Sequence, residues 1–120
     1  MAPSVPDGTL PLRPIEFEIL LTLAEGERHG YAIIQETEAR SGGHIELETG
    51  TLYRALRRLV SARFVKALPR RPVADGDDER RRYYAITALG RQAATAEAAR
   101  MARLVAAARA AHLLPRPAGS

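Results

Sequence analysis

The spacing of hydrophobic positions changes along the chain, and each change marks an element. From Pro14, the run PIEFEILLTLAEG is apolar at Ile15, Phe17, Ile19, Leu20, Leu21, Leu23 and Ala24. A stripe this wide predicts a helix covered on more than one side. Pro14 suits its first turn and Gly26 its end. In HGYAIIQETEARSGG, Tyr31, Ile33, Ile34 and Thr37 share one helical face, and Gln35, Glu36, Glu38 and Arg40 the other. Gly42 and Gly43 stop this second helix. HIELE alternates, with Ile45 and Leu47 on one side, and predicts a short half-buried strand. In TGTLYRALRRLVS the period returns to helical: Leu52, Leu56, Leu59 and Val60 fall at i, i+4, i+7 and i+8. Thr49 is placed to cap this third helix through its hydroxyl. FVKAL and RRYYAIT read as two strands, joined through the hairpin-turn signal Asp75-Gly76. Thr87 can cap a last, alanine-rich helix from about 88 to 112, with Leu89, Met101, Leu104 and Val105 as its larger apolar residues.

The order is helix, helix, short strand, helix, strand, turn, strand, long helix. It predicts a mainly α fold with a small antiparallel β wing, that is, a winged helix-turn-helix whose third helix is the recognition helix. Residues 1–11, with three prolines, read as a flexible arm. Residues 12–87 form the winged helix, 88–113 the long C-terminal helix, and 114–120 a flexible tail.

Charge changes this picture more than composition does. The 120 residues are 46% hydrophobic and 27% charged, with a net charge of +4. They suit one small domain and are compatible with a polyanionic partner. Nearly all the basic residues are Arg, a bias that genome composition alone can produce. Position carries more weight. From Thr49 to Ala74 there are seven basic residues (Arg54, Arg57, Arg58, Arg63, Lys66, Arg70 and Arg71) and no acid. The leucine face of the third helix seats it on the core, and the opposite face would offer Thr51, Tyr53, Arg54, Arg57 and Arg58 to a negatively charged surface. Arg70, Arg71, Arg80, Arg81 and Arg82 flank a wing tip carrying Asp75, Asp77, Asp78 and Glu79. The stem is therefore expected to touch phosphate and the acidic tip to stay clear.

Enzyme chemistry finds no foothold. With no cysteine there is no disulfide, thiol nucleophile or Cys-based zinc site. His29, His44 and His112 are scattered, without metal-ligand spacing. Glu16 and Glu18 stand at i, i+2, which on a helix does not share a face. The Gly-Ser/Thr stretches SGG and TGT are a helix stop and a helix cap, not a phosphate loop. No cofactor is expected. No apolar run approaches the roughly 18 residues of a membrane span, and MAPSVPDGTL lacks the regions of a signal peptide; a cytoplasmic location is expected.

The last helix bears on assembly. About 25 residues at 1.5 Å each reach about 37 Å, more than so small a domain covers by itself. Its apolar residues Met101, Leu104, Val105 and Ala108, and the wide stripe of the first helix with Ile15, Ile19 and Leu23, are expected to be buried in a homodimer.

HGYAIIQE, GTLYRALRRL and RRYYAITALGR, in this order and spacing, resemble the PadR (phenolic acid decarboxylase regulator) transcription factors over about residues 12–110. The single helix after the wing is similar to the short subfamily. The resemblance implies a homodimeric regulator of double-stranded DNA with a roughly palindromic operator. It implies a repressor, released by a small hydrophobic or aromatic effector. It places Thr51, Tyr53 and Arg54 at the DNA-facing start of the recognition helix, with Arg57 a turn later. Two other readings of the same pattern are a winged-helix module that docks a protein and a small-ligand sensor without an operator. A protein-docking face would favour apolar anchors where this chain has Tyr and Arg.

Overall fold

A computed structural model describes residues 5–44, 46–69 and 82–115. Its elements are α1 (Pro14–Ala24), β1 (Arg28–His29), α2 (Gly30–Arg40), α3 (Thr49–Ser61), β2 (Val65–Ala67), β3 (Tyr83–Ile86) and α4 (Ala88–Ala110). The strands form one antiparallel sheet in the order β1-β3-β2, with Arg28 opposite Tyr84 and Val65 opposite Ile86. This is a winged helix-turn-helix with a long C-terminal helix, as the element order predicts.

The core lies where α1, α2 and α3 meet the sheet. Ile19, Leu20 and Leu23 of α1, Ile33 of α2, Leu52, Leu56 and Leu59 of α3 and Val65 of β2 are all fully buried. Phe64 and Tyr84 close its lower edge, and Ala93 brings the start of α4 against it. Within residues 5–11, Val5 and Leu10 are partly buried against the core. No helix among the described residues is long and apolar enough to cross a membrane.

Local chemistry sets the element ends. His29 caps α2, its Nδ1 accepting the Ala32 N–H at 3.1 Å. The α3 helix ends in a left-handed residue, Arg63, at φ 67°. There the Phe64 N–H donates to the Leu59 carbonyl and the Arg63 N–H to that of Val60, both at 3.0 Å. These are the paired bonds of a Schellman stop, with Arg in the place that glycine usually takes. Thr87 caps α4 as expected, its hydroxyl accepting the Gly90 N–H at 3.0 Å while donating to the Arg63 carbonyl at 2.6 Å.

Three expectations are corrected. Residues 46–48 form no strand: the sheet edge that HIELE would need is taken by β1, too short to show a period. Leu47 is still buried, and its N–H bonds the Glu38 carboxylate at 2.9 Å instead. Thr49 is the first helical residue of α3 rather than its cap; Glu48 holds that position, without a side-chain bond. Tyr31 is 54% exposed, because Gly30 and Ile33 already fill the space beneath the first turn of α2.

One buried acid ties the N-terminal segment to α4. Glu97 accepts the Leu12 N–H at 3.2 Å and is held by two bonds from Arg100, at 2.6 and 3.0 Å. The Arg100 hydrogen bonds keep the Glu97 carboxyl below the usual carboxylate range, against the push of burial in the other direction. The same contact raises the Arg100 guanidinium.

Candidate nucleic-acid interface

Helix α3 is divided by its 3.6-residue period. Leu52, Tyr53, Ala55, Leu56 and Leu59 are buried, while Arg54, Arg57, Arg58 and Ser61 face out. Together with Ala62 these four line a shallow concavity of about 620 Å³. The outward side thus carries guanidinium and hydroxyl groups; Val60, expected on the core face with the leucines, is exposed as well, because it lies at the edge of the buried arc.

The three arginines are in different states. Arg54 donates to the half-buried Thr51 hydroxyl at 3.3 Å. Arg58 donates through Nε to Glu16 of α1 at 2.6 Å. Arg57 has no hydrogen-bond or ion-pair partner among the described residues. Glu16 and Glu18, two positions apart in sequence, serve different helices: Glu18 accepts from Arg40 of α2 at 3.1 Å. No sequence signal links Glu16 to Arg58, since 42 residues separate them.

Tyr53 does not belong to the outward face. It is 7% exposed, and its ring lies against Gly30, so close that a Cβ there would meet the hydroxyl. A tyrosine one position past Leu52 still lies within the buried arc when a glycine faces it. Of the wing residues, Arg70, Arg71 and Arg81 lie outside the described residues, as does the acidic tip; Arg82 is exposed. Among the described residues no three His, Asp or Glu side chains stand together to hold a metal.

The residues expected at a dimer contact divide too. Ile19 and Leu23 are fully buried within this protomer, because they point into the helix-turn-helix. The larger apolar α1 residues that remain at the surface are Leu21, exposed, and Ile15 and Phe17, half-buried. On α4, Gly90, Ala93 and Glu97 are buried. Met101, Leu104 and Val105 continue the same helical face beyond the domain and are exposed, with Ala108 half-buried.

A recognition-type helix with an arginine face, braced by a second helix and followed by a β hairpin, defines a winged-helix protein of the nucleic-acid-binding type. The sequence matches the transcriptional regulator PadR-like family over residues 19–96. The chain belongs to that family. It is similar to Bacillus subtilis PadR, solved in complex with operator DNA, at 26% identity and a TM-score of 0.55 over 68% of this chain and 45% of that one. It is also similar to RosR of H. salinarum, at 27% identity and a TM-score of 0.59 over 86% of this chain and 98% of that one. A Lysinibacillus sphaericus protein, described only as uncharacterized protein X, is 36% identical over 73 residues, 61% of this chain. The match spans 64% of that relative's length.

Proposed function

We propose that the chain is a homodimeric, DNA-binding transcriptional regulator that acts in the cytoplasm on a roughly palindromic duplex site. The observation that carries this is the outward face of α3: Arg54, Arg57 and Arg58 around one open concavity, without an acid on the same helix. Such a face fits the major groove, where guanidinium groups meet base edges and phosphates. Arg82, exposed just before β3 at the end of the wing away from the domain, adds positive charge, and Arg70, Arg71 and Arg81 are proposed as DNA contacts with it. A family member solved with operator DNA supports the reading.

Dimerisation rests on α4. Among the described residues no element covers its stripe of Met101, Leu104 and Val105, with Ala108 half-buried beside it, and Phe17 and Leu21 of α1 add to it. A second copy related by a two-fold axis covers both and sets two recognition helices about 34 Å apart, one turn of duplex. We assign the protein as a repressor that a small hydrophobic or aromatic effector releases. The test is a gel shift and footprint on the DNA upstream of the protein's own gene, with light scattering of the same sample. A protected palindrome bound by two subunits is the expected result. A monomer with no protected site would refute the reading.

A further inference from the structure

The three arginines of α3 present equal charge but unequal geometry, and the difference assigns their roles. Among the described residues, Arg58 is the one of the three gripped by a carboxylate. Its Nε donates to Glu16 Oε2 at 2.6 Å, and Arg13 lies 3.8 Å from the same oxygen. The Glu16 side chain is only 12% exposed, whereas that of Arg58 is 40% exposed. The carboxylate is therefore fixed in the α1–α3 seam, and the guanidinium emerges from it. A bond through Nε alone leaves the two terminal amino groups free, since Arg58 has no other partner among the described residues. Holding Nε also restricts the plane of the guanidinium. The remaining pair of N–H groups is the fork that matches two adjacent acceptors, such as O6 and N7 of guanine.

Arg57 has no partner among the described residues and keeps its rotamers open; that suits a phosphate, which accepts from many directions. Among the described residues Arg54 has only a neutral hydroxyl as partner. Resting on the DNA-binding reading above, we propose that Arg58 reads a guanine edge in the major groove and that Glu16 is its positioning residue. A held side chain loses less freedom on binding than a free one, and a fork fixed in one plane discriminates best.

The proposal has a sign that simple electrostatics does not share. Glu16→Gln removes a negative charge beside the recognition helix. If Glu16 only offset the charge of Arg58, the variant would bind every duplex more tightly. A positioning role requires the opposite on the specific site.

The experiment uses the full chain. A duplex is selected from a random library with wild-type protein, and a scrambled duplex of equal length serves as control at the same salt. Glu16→Gln is expected to weaken binding to the selected duplex by about tenfold, the value of one good bidentate base contact. Its binding to the scrambled duplex should be unchanged or tighter. Replacing one G·C pair per half-site by A·T should then cost the variant little. Arg58→Lys keeps the charge without the fork and should reproduce this pattern; it also serves if Glu16→Gln melts early. Equal tightening on both duplexes, or equal weakening on both, overturns the proposal. If the library yields a site and Arg57→Ala weakens both duplexes while Glu16→Gln and Arg58→Lys change neither, the DNA-binding reading stands and this assignment falls. If the library yields no preferred sequence, both fall.

Discussion

Gly30 and Tyr53 touch at the heart of the helix-turn-helix: a Cβ at Gly30 would sit 3.0 Å from the Tyr53 ring carbon Cζ and closer still to its hydroxyl. The first turn of α2 can approach α3 only because position 30 carries no side chain. Gly30→Ala is expected to destabilise the fold by about 1–3 kcal/mol, the usual cost of overpacking. Thermal unfolding of the two proteins side by side checks this. An unchanged melting temperature would mean that the two helices are not in this contact.

Arg63 supplies the converse case. Its left-handed backbone strains any residue but glycine, while its side chain is exposed. Arg63→Gly is expected to stabilise the protein by about 0.5–1 kcal/mol. The carbonyl that Thr87 bonds is retained in the variant. Denaturant unfolding gives the difference directly.

Glu97 makes stability depend on pH in a defined direction. Its carboxyl titrates lower in the folded protein than in the unfolded chain. The unfolded chain therefore takes up the proton first as pH falls. The contribution of Glu97 is complete above the ordinary carboxylate range and is lost as pH drops through it towards the folded value. Glu97→Gln should flatten the acid limb of a stability profile below about pH 5 and change its shape little near neutrality.

Leu104 is 57% exposed in the protomer, so Leu104→Glu should leave the helical content and the winged helix intact. It should break the proposed dimer and bring DNA affinity towards the non-specific level, a loss of about 10³-fold or more. Light scattering and a gel shift on one preparation report both effects. A cut at Arg91 would be a poor substitute, because Ala93 and Glu97 belong to the core; a chain ending at Arg100 keeps them.

Arg57, exposed and without a partner among the described residues, is the expected phosphate contact. Arg57→Ala should weaken all duplexes alike and reduce the slope of log K against log salt by about 2 for a dimer, near 0.9 per phosphate and subunit. Titrations at several salt concentrations measure it. An unchanged slope would remove Arg57 from the interface.

The helices and the wing were legible because their apolar periods are long enough to read, and the leucines of α3 fixed which side faces the core. What escaped the sequence depended on partners distant in the chain. Glu16 reads as one of two surface acids until α1 is laid against Arg58. Tyr53 reads as outward until Gly30 leaves room for its ring. Ile19 and Leu23 cannot be told from Phe17 and Leu21 when a stripe is apolar all round. β1, two residues long, carries no period at all, whereas the alternation in HIELE reads as a strand.

The hydroxyl of Thr87 is bonded at once to the end of α3 and the start of α4, and Gly90 fits there because a Cβ would strike the Phe64 carbonyl. This makes the junction a stiff elbow rather than a hinge. The 23 residues of α4 form an arm about 34 Å long, so each degree of rotation at the elbow displaces the far end by about 0.6 Å by the same measure. In the proposed dimer that arm sets the gauge between the two reading heads. The hydroxyl of one threonine then governs whether both heads meet the duplex in phase, although it lies far from any base.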